Sequence, residues 1–264
     1  MMAKQNRDLR DKGPYSARNT VGISLLEETG LVMKRLISGL TLNQVRQQAV
    51  DGQLLRQKTR ETRRTLWERI YYRLFSHQIE WVIHDLKESY EQGPQSAEFI
   101  SFLYLHYALS DRLTYDFVVN VVWEHWYNGN IFVSRDDILF LLDEVSEQQP
   151  QVRRWTEKSK HRLSSTILSA LRDFGLLKGV KKKEIMQPGL PLFNAEHILR
   201  LLTFEGKRGN EVLSDSTWKL FLLTTDDVAH ILSRLAQNNR IRFERVGSTT
   251  VLETPLEWET RNEN

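Results

Sequence analysis

The feature that most constrains the fold is one amphipathic stretch late in the chain. Leu163, Ile167, Ala170, Leu171 and Phe174 recur at i, i+4, i+7, i+8 and i+11, the period of a helix with a single buried stripe. Gly175 follows, where such a helix needs a residue free to take positive φ. The spacing predicts a helix over 159–174. Its opposite face carries Lys158, Arg162, Ser165, Ser169 and Arg172, cations and short hydroxyls where an ordinary solvated face would carry glutamate. Such a face suits phosphates and base edges, since Arg and Lys bring charge and Ser a short hydrogen bond. Lys178, Lys181, Lys182 and Lys183 come next, then a short β-compatible segment closed by Pro188-Gly189. Helix followed by basic wing points to a winged-helix-like unit. The plainer alternative is a helical hairpin with a solvated lysine loop.

Net charge is only +3, but it is unevenly placed. Residues 44–75 carry eight Lys/Arg against three Asp/Glu, residues 152–183 ten against two, and residues 76–151 between them three against thirteen. Blocks of one sign focus a potential that attracts polyanions. The first basic block includes Arg56, Lys58, Arg60, Arg63 and Arg64, at the start of a helix expected over 58–75. On that helix Leu66, Trp67, Ile70, Tyr71, Leu74 and Phe75 share one arc and bury its C-terminal half. The arginines lie on much the same arc, two to three turns earlier, so they reach solvent only if the helix projects from the core. The second block adds Arg154 and Lys160 to the residues above.

Elsewhere the pattern is helical: 24–38, a helix capped by Thr41, then 78–92, 97–109 and 115–127, an element opened by Ser134 with Asp137 three residues on, 194–204, and 226–237 capped by Thr225. The aromatic-rich middle, with Phe99, Phe102, Tyr104, Tyr107 and Phe117, reads as a packing hub. Alternation over 240–246, Gly247-Ser248 and a second run over 249–254 form the clearest hairpin signal. The fold class expected is mainly α, with helical bundle modules and winged-helix-like parts. A flexible arm over 1–19, an N-terminal helical domain over 20–130 and a C-terminal winged-helix-like domain over 131–264 complete it.

With no cysteine, disulfides, Cys-ligated zinc and a Cys nucleophile are excluded, and such usage suits the cytoplasm. Neither an export signal nor a membrane span is supported, because the apolar stretch over 99–126 is broken by His106, Asp111, Arg112, Asp116 and Glu124. Gly206-Lys207-Arg208-Gly209 lacks the spacing of a phosphate loop. The histidines form no metal spacing, a Glu80/His84 pair being an ordinary structural contact, and Asp136-Asp137 and Asp226-Asp227 sit at helix N-termini. No catalytic residue, metal, cofactor or small-molecule substrate is expected.

Taken in order, the run Asp51-Gly52-Gln53-Leu54-Leu55-Arg56 through Thr62-Arg63-Arg64-Thr65-Leu66, with Arg73-Leu74, resembles the BrxA family of BREX bacteriophage-exclusion systems. So do Val152-Arg153-Arg154-Trp155 leading into Arg162-Leu163-Ser164-Ser165, Gly175-Leu176-Leu177, and the hairpin over 241–251. The resemblance implies a non-enzymatic, helical DNA-binding protein that acts in phage defence beside other BREX proteins. It leaves open two alternatives, an RNA-binding, antitermination-like protein and an assembly adaptor for larger defence proteins. The residues expected to meet duplex DNA are Arg56, Lys58, Arg60, Arg63 and Arg64 on one surface, and Arg154, Lys158, Lys160, Arg162, Ser165, Ser169, Arg172, Lys181, Lys182 and Lys183 on the other.

Overall fold

Side-chain caps explain where most of the helices begin. The structure, a computed structural model, describes residues 9–20, 24–180, 182–247, 249–256 and 258. Helices α1 (Leu26–Ile37), α2 (Leu42–Val50) and α3 (Arg60–Leu74) come first. Thr41 closes a reciprocal box with Gln44 at the start of α2, and Thr59 accepts from Thr62 N at 3.1 Å to start α3. Helices α4 (Glu80–Glu91) and α5 (Ala97–Leu109) follow, α5 over the span its sequence predicts. Every residue of α5 from Ser101 to Leu109 is buried, so the aromatic middle is the hub around which other helices pack.

The helix expected over 115–127 begins earlier and is irregular. Asp111 caps α6 (Arg112–Asp116), a π-helical stretch (Phe117–Val122) continues it, and α7 (Trp123–Tyr127) ends it. Phe117, Val118 and Val119 are buried in succession, which a strict 3.6 period does not accommodate. Then come β1 (Phe132–Val133), α8 (Arg135–Glu144), α9 (Glu157–Asp173), β2 (Leu177–Lys178) and β3 (Lys183–Ile185). The strands form an antiparallel sheet in the order β1-β3-β2, with Phe132 opposite Glu184 and Leu177 opposite Ile185. Ser134 and Asp137 cap α8 as a box, as expected.

Helices α10 (Leu192–Phe204), α11 (Asn210–Leu213) and α12 (Thr225–Gln237) precede a hairpin of β4 (Arg242–Val246) and β5 (Thr249–Glu253). Thr224, not Thr225, caps α12, because the box partner Asp227 lies three residues beyond it and accepts from Thr224 N at 2.8 Å. Val246 pairs with Thr249 across the two-residue turn, of which Ser248 lies outside the described residues.

The expected arm is packed from residue 9 onward. Leu9, Tyr15 and Asn19 are buried, and Arg10 binds Glu205 at 2.8 Å, Asp215 at 3.0 Å and the Tyr115 hydroxyl at 3.1 Å. A polar segment docks this way when the core surface offers it buried carboxylates. Residues 1–8 lie outside the described residues. Buried side chains from Leu9 to Trp258 form one contiguous cluster.

Polar groups stitch this core. His197 Nδ1 lies 2.6 Å from Asp85 Oδ2, and its Nε2 lies 3.0 Å from His106 Nε2, which links α4, α5 and α10. A carboxylate only accepts, so His197 donates to Asp85 from Nδ1. His106 is held neutral, its pKa driven well below the ordinary imidazole value by burial first and then by His197 and His77. The stability this contributes is complete above the unfolded-state pKa of ~6.5 and is lost as pH falls below it, by up to ~1.4 kcal/mol per pH unit. Thermal melts from pH 8 to pH 5 should therefore show a falling midpoint, and His106→Asn should flatten the acid side of that profile.

Candidate nucleic-acid interface

Helix α9 is positioned by what it buries. Leu163, Ile167, Leu168, Ala170 and Leu171 face the core, while Lys158, Arg162 and Arg172 are exposed and Ser165 and Ser169 half-exposed along the opposite side. The helix packs on α8 and leads through Gly175, at φ +85°, into the β2–β3 turn. The stretch between α8 and α9 is longer than the short turn of a minimal helix-turn-helix. It includes the 3-10 turn Val152–Arg154, whose Arg154 is exposed.

The cations on this side have different roles. Lys158, Arg162 and Arg154 form no ion pair with another described residue. Lys160 is turned inward, its ammonium 3.0 Å from Glu157 and 3.6 Å from Asp143 of α8, so it staples the two helices together. Arg172 pairs with Asp173 at 2.9 Å and stays exposed. Ser169 Oγ donates to the Ser165 carbonyl at 2.8 Å, which commits its proton to the helix and leaves the oxygen to accept.

In the β2–β3 turn, Lys182 places its ammonium 3.5 Å from the centre of the Phe132 ring on β1 and remains exposed. Lys183 is buried and donates to the Gly179 carbonyl at 2.8 Å; burial first, then Arg172, lowers its pKa. It braces the turn from within. Lys181 lies outside the described residues. Lys178 on β2 is exposed, and Val180 at the tip is 77% exposed.

The first basic block divides similarly. Arg56 and Lys58 are exposed without an ion pair to another described residue, Arg60 reaches Asp51 at 3.4 Å, and Arg64 pairs with Glu68 at 3.0 Å. Arg63 clamps the fold, donating to the carbonyls of Val50 (2.9 Å), Gln57 (2.7 Å) and Lys58 (3.2 Å). A Cβ on Gly52, at φ +85°, would press on that guanidinium at 3.2 Å. The N-terminal half of α3 does project while Leu66, Trp67, Ile70 and Leu74 bury its other half. Both basic helices meet one short segment: the 3-10 turn Arg18–Thr20 packs on α9, and Arg73 of α3 donates to Asn19 Oδ1 at 3.1 Å.

Elsewhere, His84, Asp85 and Glu88 on α4 bring ligand-type atoms within 4.8 Å of one another. Asp85 already accepts from His197 and faces Arg200 at 3.7 Å, so the group is a salt-linked patch of the helix surface.

Among known families, the BrxA model matches residues 13–201, most of the chain. The chain belongs to the BrxA family. Membership in BrxA suggests a role in BREX phage defence. A crystal structure of an uncharacterized protein from Magnetospirillum magneticum is similar in fold to this BrxA-family chain. The two are 16% identical with a TM-score of 0.59, and the match covers 80% of this chain and 100% of that one. No curated protein matches the BrxA-family chain in sequence. Among its described residues, no helix is long and apolar enough to cross a membrane.

Gly179 sets the shape of the turn behind α9. It sits at φ +92°, and a Cβ there would collide with the Lys182 carbonyl oxygen. Gly179→Ala should therefore destabilise the turn by ~1–3 kcal/mol and speed amide exchange in β2 and β3. Gly189→Ala, where a Cβ meets open space, should stay within ~0.5 kcal/mol of wild type. Equal melts for the two variants would contradict the assignment.

Proposed function

We propose that this BrxA-family protein is a non-enzymatic binder of duplex DNA in BREX defence, with the unit from β1 to β3 acting as a winged helix. One observation carries the reading: on α9 the exposed cations stand opposite a fully buried stripe, and Lys158 and Arg162 on its N-terminal half form no ion pair with another described residue. The strand order β1-β3-β2 around α8 and α9 supports it, since that topology sets a helix beside a β-turn wing. Arg154, Lys158, Arg162, Arg172, Lys178 and Lys182 then contact phosphates, with Ser165 donating or accepting and Ser169 accepting close to the groove. Arg56, Lys58, Arg60 and Arg64 form a second, weaker surface, because two of these four already hold a neighbouring carboxylate. Arg63, Lys160 and Lys183 support these surfaces from inside the fold. Other BREX proteins are its proposed partners, in the cytoplasm.

Fluorescence anisotropy with equal lengths of duplex DNA, single-stranded DNA and RNA tests this. Duplex affinity should fall by ~10³–10⁵ between ~50 and ~200 mM salt if six to ten phosphates are engaged. Lys158→Ala with Arg162→Ala should flatten the log–log salt slope by about 2, since each phosphate contact contributes ~0.9. Tighter binding of RNA than of duplex would favour the antitermination-like alternative. Failure to bind any nucleic acid, together with co-purification of defence proteins, would favour the adaptor.

A further inference from the structure

Guanidinium groups taken out of water normally come with carboxylates or carbonyls to receive their protons. Two arginines away from the α9 surface depart from this. Arg18, in the Arg18–Thr20 turn, and Arg69, on the C-terminal half of α3, are both partly buried, and Arg18 Nη1 and Arg69 Nε are shielded from solvent with no hydrogen-bond partner among the described residues. Neither forms an ion pair with another described residue.

The two groups adjoin one another. Arg18 Cζ lies 3.9 Å from the centre of the Tyr72 ring, one helical turn beyond Arg69 on the same face of α3, and the neighbouring Asn19 is bonded to Arg73 on that face. The ring holds the Arg18 plane in place. The pKa of Arg69 is lowered, by burial first and then by the charge of Arg18. The nearby carboxylates are already engaged: Asp111 accepts from Thr114 N at 3.1 Å and Thr114 Oγ1 at 2.5 Å, and Glu68 pairs with Arg64. Ser16, two residues before Arg18, buries a hydroxyl that also lacks a partner.

We propose that Arg18 and Arg69 form a binding site for a phosphate group, carried by inorganic phosphate or by the terminal phosphate of a nucleotide. Planar forks in pairs suit a tetrahedral oxyanion, and such a ligand replaces a repulsion between like charges with charge-assisted hydrogen bonds. The site takes a small ligand rather than duplex backbone, because its unpartnered donors are shielded from solvent while the α9 cations stand in the open. An anion there ties α3 to the turn on which α9 rests. The inference does not depend on the protein's binding DNA.

Thermal melts of the full chain in inorganic phosphate against chloride, at matched ionic strength and pH, test it, with ADP and adenosine as further additives. Wild type should show a saturable rise in melting temperature with phosphate and with ADP, and none with adenosine. Half-saturation at lower ADP than phosphate assigns a nucleotide; the reverse assigns free phosphate. Arg18→Gln and Arg69→Gln should abolish the rise. Arg69→Lys, which keeps the charge and guards against a folding defect, should raise the half-saturating concentration roughly tenfold or more, as loss of a charge-assisted hydrogen bond does. Duplex-DNA affinity of the same variants should be unchanged. An equal response in wild type and all three variants overturns the proposal, and so does a loss of DNA affinity in Arg69→Gln when wild type shows no response to phosphate.

Discussion

Burial of α5 on every side is the constraint from which the rest of the arrangement follows. A helix with almost no wet face brings its polar and aromatic side chains against particular neighbours, and these contacts set the register of the helices around it. Tyr104 donates to the Leu220 carbonyl at 2.8 Å, His106 leads through His197 to Asp85, and the Tyr107 ring carries the Arg73 guanidinium 4.6 Å from its centre. These links bring α3, α4, α10 and the Ser216–Phe221 turn to one core. Leaving Tyr104, His106 or His197 unpaired costs ~1–3 kcal/mol, so these hydrogen bonds select this packing over looser apolar alternatives.

From that core the two basic helices project to different degrees. Helix α9 buries its apolar stripe along most of its length and offers a continuous opposite face. Helix α3 buries only its second half and spends Arg63 on its own N-terminal junction. The distinction is one of side-chain supply: a cation that receives a carbonyl or carboxylate inside the fold holds the scaffold, and one left in solvent is available to a polyanion.

Much of the fold was legible from local physics. The caps at Thr41 and Ser134, the span of α5, the stripe of α9 and the hairpin near 240–254 all follow from periodicity and from side chains that satisfy helix N-termini within three residues. What was hidden depends on distant partners. The docking of Arg10 needs Glu205 and Asp215, 195 and 205 positions away along the chain. Lys160 looked like a contact cation because Asp143 lies on another helix, and Lys183 because its acceptor, the Gly179 carbonyl, is backbone and has no sequence signature. Nothing in the local pattern sets Arg18 or Arg69 apart from other arginines. Their isolation is defined by what surrounds them in space.

The proposed duplex lies against α9 and the β2–β3 turn. Hydrogen–deuterium exchange of the full chain with and without saturating duplex DNA tests that most directly. Protection should concentrate over residues 152–185, with a smaller effect over residues 56–64. Bound DNA that leaves α9 and the turn unprotected while shielding α10, α12 or the β4–β5 hairpin would contradict it.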